Sequence, residues 1–223
     1  MHSSRMPSTS RVPASTLAPA LTALAWSVLA WAVLVSAVLA SAVIGVSHPV
    51  ELLDGEVRYR ARDQVSVWIG VAPLAAFSLE IDPADLGRTR LRAVVHPGDF
   101  TSGVGFRDFT ARRSVFDTER YPDAVFELGE LEGPSLDLPD GATRRFRALG
   151  TLELRGVTGP VTAEVVVTRD GDVIDATASF EVSLEAYGLP PPRFLTLVAE
   201  DRVDVEVDVR AHLLPATTTP TPR

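Results

Sequence analysis

The chain has 223 residues, enough for one domain with additional terminal segments, and it contains no cysteine, which excludes disulfides and thiol chemistry. All 21 basic residues are arginine, and two of them precede residue 20. All 29 acidic residues follow Val50. The chain after residue 20 therefore has 19 arginines and 29 acids, a net charge of −10. Such an acidic domain repels phosphate backbones, which argues against nucleic-acid binding and against docking on anionic lipid heads by charge alone.

The N-terminal region predicts a membrane segment. Residues 1–19 are polar and rich in proline, serine and threonine, and we expect a disordered cytoplasmic tail. Residues 20–46 contain no charged side chain, and a helix of this length, about 40 Å, crosses a bilayer. Arginines precede this stretch and acids follow it, so the positive-inside rule places the domain on the extracytoplasmic side. Ala40-Ser41-Ala42 also fits a signal-peptide cleavage site, but the apolar run is long, which favours an uncleaved transmembrane anchor.

After a predicted linker at residues 47–54, apolar and polar residues alternate with a period of two. Val57, Tyr59 and Ala61 begin the pattern, and Val65, Val67 and Ile69 are expected to continue it on the same face. The later alternating runs are residues 77–81, 91–95, 146–154, 161–167, 174–184 and 203–209. This period is typical of half-buried antiparallel strands.

About eight such strands indicate a mainly β fold over residues 55–213, an antiparallel barrel whose closure removes exposed edges. An open sandwich is the alternative on the pattern alone. Residues 214–223 are rich in proline and threonine, and we expect a disordered tail there.

One segment, residues 107–126 with the preceding Phe106, departs from the alternation. Phe106, Phe109 and Phe116 recur at spacings of three and seven, which places them on one side of a helix. Pro122 favours an extended Tyr121, so the helix has to end before that pair. The sequence therefore predicts a short helical insert in the barrel.

Two remote stretches carry a family pattern. The insert contains Arg107-Asp108, Phe116-Asp117, Tyr121-Pro122 and Phe126, and residues 150–161 read GTLELRGVTGPV. These match R-D-x-H-L, F-D/E-x-x-x-Y/F-P-x-x-x-F and G-x-L-x-x-x-G-V-T-x-P-V, with Thr110 and Ala111 in place of the His and the Leu. The chain thus resembles the YceI-like family, the bacterial lipocalin-like polyisoprenoid-binding proteins, over roughly residues 55–213. The resemblance implies a lipocalin-like barrel.

No catalytic or metal-binding pattern is recognisable in the sequence. Of the four histidines only His96 lies in a plausible loop, and no pair has metal-ligand spacing. Neither a GxSxG elbow nor a phosphate-binding glycine loop occurs. We therefore predict a protein that is not an enzyme and that uses no metal or cofactor.

The alternating strands alone predict a filled core about as well as a hollow one. The family resemblance favours a cavity that shelters a long apolar isoprenoid or quinone-like lipid. Arg112 is the candidate for meeting a polar or phosphate head group, whereas Arg107 and Asp108 are expected to form a structural pair. The predicted ligand-binding residues are Phe77, Phe100, Phe106, Phe109, Arg112, Phe116, Phe126 and Phe180.

The predicted function is therefore carriage or storage of a long apolar lipid by an extracytoplasmic barrel, tethered to the membrane through residues 20–46. The alternative is a structural or interaction module with a filled core and no small-molecule ligand. A homodimer is compatible with both. A continuous interior tunnel supports the first hypothesis and a solid core the second.

Overall fold

The computed structural model describes residues 46–82, 85–189, 193–194, 197–215 and 217–218. The predicted cytoplasmic tail and residues 20–45 of the apolar stretch lie outside this part of the chain. Within the described residues, no helix is both long and apolar enough for a membrane crossing. Ile44–Pro222 forms one compact unit, which we call the barrel domain.

Eight long strands form the main sheet of the barrel domain. They are β1 (Val46–Arg62), β2 (Val67–Ile81), β3 (Arg90–Val95), β4 (Ala124–Glu132), β5 (Thr143–Leu154), β6 (Val157–Asp170), β7 (Val173–Ser183) and β10 (Arg202–Leu213). Three short strands are β8 (Arg193–Phe194), β9 (Leu197–Val198) and β11 (Thr217–Thr218). Each long strand pairs antiparallel with the next, and β10 also pairs with β1, so the sheet closes. The predicted eight-stranded antiparallel barrel is confirmed, and the open sandwich is wrong. A closed sheet with its own apolar interior can fold on its own.

The period of two decides which side chains face inward. In β5, Phe146, Ala148 and Leu152 are buried, whereas their neighbours Arg147 and Thr151 are exposed. The same alternation runs through β10, where valines face the interior and acids face solvent. Local sequence thus dictates the two faces of the barrel wall.

The alternation changes face at the β1–β2 turn, which corrects one prediction. Asp63 accepts hydrogen bonds from the backbone N–H groups of Val65 and Ser66, both at 2.8 Å, and this tight turn pairs Ala61 directly with Trp68. Residues that pair directly share a face, so Trp68 points inward with Ala61. Val65, Val67 and Ile69 are exposed instead of continuing the inner face.

The sheet includes more of the chain at both termini than the sequence indicates. The predicted linker at residues 47–54 is instead the first part of β1, where Val50 pairs with Leu79 and Leu213. Pro49 lies in this part of β1, and a proline is tolerated near the start of a strand. Within the predicted disordered tail, Thr217–Thr218 forms β11, which pairs with residues 46–47.

The connections alternate between two ends of the barrel. One end, the lid end, carries residues 63–66, 96–123, 155–156, 184–189 and 199–201. The other, the floor end, carries residues 82, 85–89, 133–142 and 171–172, together with the start of β1 and the end of β10.

The insert between β3 and β4 lies at the lid end and contains the predicted helix. Helix α1 (Gly105–Thr110) widens into one π-helical turn (Ala111–Phe116), which ends at Asp117 in a left-handed conformation with φ 51°. The helical part therefore ends before Pro122, as predicted. Backbone hydrogen bonds of 2.9 and 3.0 Å between Val71 and Thr101 attach the insert to β2.

Gly150 supplies a test of the wall packing. A Cβ added there would lie 2.7 Å from Cζ of Phe126 and would also meet the carbonyl oxygen of Glu127. We expect Gly150→Ala to lower the free energy of unfolding by about 1–3 kcal/mol, measured by urea denaturation of the barrel domain. Gly105→Ala is the control, because a Cβ at Gly105 meets nothing within 4 Å. Equal losses in both variants would contradict the close approach at Gly150.

Candidate functional site: an apolar barrel cavity

The barrel encloses a cavity of about 590 Å³. All eight long strands contribute to its wall, with one example from each being Val57, Phe77, Ala93, Phe126, Ala148, Val165, Ala178 and Val207. The inward faces of these strands border this space. The interior is therefore hollow, and its volume lies within the range of small-molecule sites.

The chemistry of the lining is almost entirely apolar. Besides the rings of Tyr59 and Trp68, which carry one polar group each, the polar side chains among the lining residues are Asp63, Ser66, Thr89, Arg107, Thr110 and Arg169. Four of these belong to the β1–β2 turn and the helical insert at the lid end, and Thr89 and Arg169 lie toward the floor end. The middle of the cavity offers no charge or hydrogen bond to a ligand, so it suits a hydrocarbon chain.

The floor end is closed by the β4–β5 connection. Leu138 in this connection is only 4% exposed and lines the cavity. The Arg169 guanidinium donates to the carbonyl oxygen of Leu138 at 3.0 Å, and Asp140 accepts from the Gly171 N–H at 2.6 Å. These bonds hold the connection against the β6–β7 turn.

The cavity opens at the lid end. Of the described residues that line it, Ser66, Val104 and Phe106 are the exposed ones. All three belong to the β1–β2 turn or to the start of the insert, so the mouth lies between these two segments. Phe106 is 68% exposed while also lining the cavity, and it marks the boundary between interior and surface.

Two contacts hold helix α1 beside the mouth, and they correct the predicted Arg107–Asp108 pair. The Arg107 guanidinium lies 5.1 Å from the ring centroid of Trp68, a cation–π contact with the β1–β2 hairpin. Asp108 instead accepts hydrogen bonds from the Ser102 N–H (2.9 Å), the Ser102 hydroxyl (2.6 Å) and the Thr101 hydroxyl (3.2 Å). Successive residues of a helix point about 100° apart, which explains the separate partners.

Asp108 is ionised within this network. Burial alone would raise the pKa of its carboxyl, but the hydrogen bonds from Ser102 and Thr101, together with the charge of Arg112, hold the pKa below its usual value. The side chain is only 6% exposed, so its negative charge depends on these donors.

An aromatic row underlies the insert. Tyr59 meets Phe100 edge to face with ring centroids 5.0 Å apart, and Phe100 stacks on Phe116 at 6.3 Å. Burial and the nearby Asp108 charge raise the pKa of Tyr59, whose phenol is therefore neutral at pH 7. These rings form the upper wall of the cavity and join β1 to the insert.

Six of the predicted ligand-binding residues line the cavity: Phe77, Phe100, Phe106, Phe116, Phe126 and Phe180. Phe109 and Arg112 do not; they lie in a separate surface cleft of about 440 Å³ with Arg113 and Arg155. Helix α1 and the residue after it face the cavity with residues 106, 107, 110 and 111, a stripe at spacings of one and four that excludes Phe109.

Sequence reasoning missed several cavity residues near the mouth, among them Trp68, Arg107 and Val104. Trp68 was missed because the turn reverses the alternation, and Arg107 because it was assigned to a pair with Asp108. Val104 precedes the helical pattern and gave no signal. Thr110, at the position of the family histidine, lines the cavity and donates its hydroxyl to the Phe106 carbonyl oxygen at 2.9 Å.

Comparisons with known proteins agree with this architecture. Residues 54–211 match the model of the YceI-like domain. BcnA from Burkholderia cenocepacia superposes with a TM-score of 0.58 at 19% identity, covering 70% of this chain and 95% of that one. A polyisoprenoid binding domain from Saccharophagus degradans, implicated in plant cell wall breakdown, gives 0.57 at 16% identity, covering 74% and 98%. At these identities the likeness shows the fold. A search of curated proteins finds no match.

Asp108→Asn tests how the insert is held. We expect the free energy of unfolding to fall by about 1–3 kcal/mol at pH 7, because the Ser102 and Thr101 donors lose a charged acceptor. The pKa of Asp108 is lower in the folded chain than in the unfolded chain, where it is about 3.9. Its contribution to the free energy of unfolding is therefore fully present above that unfolded value and is lost as the pH falls through the folded value. The deficit should therefore shrink below about pH 4 in urea titrations.

Asp99→Asn is the control, since Asp99 is exposed in the same insert. It should leave stability within about 0.5 kcal/mol of the original chain at both pH values. A deficit for Asp108→Asn that stays constant down to pH 3 would contradict the ionised network.

Proposed function

Because the chain belongs to the YceI-like domain family, we propose that the barrel binds a long apolar lipid, an isoprenoid or quinone-like molecule, for carriage or storage. The observation that carries the proposal is the cavity of about 590 Å³ with an apolar wall and an opening at one end. The Saccharophagus degradans relative is described as a polyisoprenoid binding domain, which supports the same ligand class here.

The energetics favour a long chain over a small apolar molecule. Each buried methylene-sized group contributes about 0.8 kcal/mol when it leaves water. Binding costs translational and rotational freedom whatever the ligand, so several isoprene units offset this cost where one does not. The enclosed floor end gives the chain a place to terminate.

The position of the polar residues orients the ligand. Ser66, Arg107 and Thr110 lie at the mouth, and the wall between mouth and floor is apolar. The apolar tail therefore enters first, and a polar head group stays at the lid end beside Arg107. Arg107 replaces Arg112 in this role, because Arg112 lies outside the cavity.

Placement at a membrane is the second part of the proposal. It rests on the sequence: residues 20–46 are free of charge, Arg5 and Arg11 precede them, and every acid follows. An anchor there would keep the domain on the extracytoplasmic side and near a source of lipid.

We propose binding without catalysis. His96, the loop histidine, contacts the Asp123 carboxylate at 2.8 Å, and both side chains are about half exposed. The two residues join the start and end of the insert and are not among the cavity-lining residues. A surface pair with one carboxylate supports a structural role.

Ligand binding is tested by filling the cavity. Ala178 on β7 lies between Val165 and Val207 and lines the cavity, whereas the adjacent Ser179 faces solvent. A fluorescent isoprenoid should bind the delipidated barrel domain with saturation. Ala178→Phe should weaken this binding at least about tenfold because the ring occupies ligand space, and Ser179→Phe should leave it unchanged. Absence of saturable binding at micromolar ligand, or equal affinities for both variants, would contradict the proposal.

A further inference from the structure

The depth of the cavity follows from the length of strand β7. Ile174 lines the cavity beside the floor end, and Val182, eight residues later, lines it beside the lid end. A strand rises about 3.3 Å per residue and tilts about 40° from the axis of a closed barrel, so these residues span about 20 Å along the axis. One extended isoprene unit is about 5 Å long, because four carbon–carbon bonds of about 1.5 Å zigzag along it. The depth therefore matches about four isoprene units.

The volume of the cavity leads to the same length. A water molecule takes up about 30 Å³ of liquid, and a methylene group is of similar size. The cavity of about 590 Å³ therefore holds about 20 carbon atoms, which make up about four isoprene units. Because depth and volume agree, the cavity holds one extended chain and leaves no room for a longer chain to fold back on itself.

The floor of the cavity is fixed by hydrogen bonds to Arg169. The backbone N–H of Arg169 donates to the Ala142 carbonyl oxygen at 3.1 Å, and its carbonyl oxygen accepts from the Gly141 N–H at 2.9 Å. These two bonds add to the one from its guanidinium to the Leu138 carbonyl oxygen. A tail cannot extend past Leu138 without breaking them. The surplus length of a long tail therefore has to leave through the mouth.

The apolar wall ends at the mouth. The apolar lining residues there include Val104 and Phe106, which are 46% and 68% exposed. An isoprene unit that lies against them stays largely in contact with water, so it contributes much less to binding than a unit inside the barrel. A surplus unit also moves the head group away from Arg107.

We propose that the cavity selects its ligand by tail length, and that the longest tail it buries has about four isoprene units. This inference rests on the proposed function, because it specifies the ligand of the same site. A tail of matched length reaches the floor and leaves the head group beside Arg107. A shorter tail leaves apolar wall uncovered, and a longer tail carries the head group out of the mouth.

Competition binding tests the length limit. Prenyl alcohols of two to six isoprene units compete with the fluorescent isoprenoid for the delipidated barrel domain. We expect affinity to rise at least about tenfold with each unit up to the fourth, and less than about threefold with each further unit. A steady rise through six units, or no gain beyond two, would overturn selection by length and leave the proposed function standing. Absence of saturable binding at every length would overturn the proposed function itself.

Phenylalanine placed at two depths tests whether the floor sets the limit. Ala176 and Ala178 are neighbouring inward positions of β7, and they lie about 5 Å apart along the axis, the length of one isoprene unit. A ring at either position blocks the part of the cavity that lies toward the floor. The length at which affinity stops rising should therefore fall to about three units in Ala176→Phe and to about two in Ala178→Phe.

Ser179→Phe is the matched control, because Ser179 faces solvent on the same strand. This variant should keep the limit at about four units, as in the original domain. A ring that merely destabilises the barrel lowers the affinity for all lengths alike and does not move the limit. The same limit in Ala176→Phe, Ala178→Phe and Ser179→Phe would overturn the proposal.

Discussion

The pairing of β1 with β10 is the constraint on which the rest of the structure depends. Because these strands hydrogen-bond along residues 50–60 of β1, the sheet cannot lie flat on a second layer, and its inner face has to line a closed space. Eight strands give an interior that large side chains could fill. The small inward residues Ala148, Ala163, Ala176 and Ala178 leave it open instead. The hollow is therefore a consequence of closure combined with small residues at inward positions.

The two ends of the barrel then take different roles. At the floor end, hydrogen bonds from Arg169 and to Asp140 hold the β4–β5 connection in place, and Leu138 closes the interior. At the lid end, the insert is attached on one side of the mouth by the Asp108 network and by the Arg107–Trp68 contact. Buried polar bonds thus hold the insert while the apolar residues around it remain exposed. The floor end of the cavity is closed, and its mouth lies at the lid end.

Much of the fold was predictable because the period of two extends over most of the chain. The closed barrel could be predicted as well, because about eight strands suit a barrel and closing the sheet leaves no strand edge exposed. The faces near a turn were not predictable, because the turn at residues 63–66 pairs Arg62 with Val67 and Ala61 with Trp68, which puts Val67 outside and Trp68 inside. The start of β1 was missed because a proline reads as a linker signal even where a strand tolerates it.

The site was predictable only in part. Six of the predicted phenylalanines line the cavity because inward positions follow the strands and one helix face, but Phe109 and Arg112 fall outside the stripe that the insert turns inward. Whether the interior is filled depends on the diameter that the strand register imposes, and residue types alone do not give that register. The asymmetry between the ends likewise comes from loop contacts with no periodic pattern.

Native mass spectrometry of the barrel domain, purified without detergent and then incubated with a long-chain isoprenoid alcohol, tests the central claim most directly. The account predicts one ligand per chain, seen under gentle conditions as a discrete mass increment. Where a lipid co-purifies, the isoprenoid alcohol should replace it one for one. A spectrum that shows only the bare protein mass before and after incubation would contradict a hollow barrel built to hold an apolar chain.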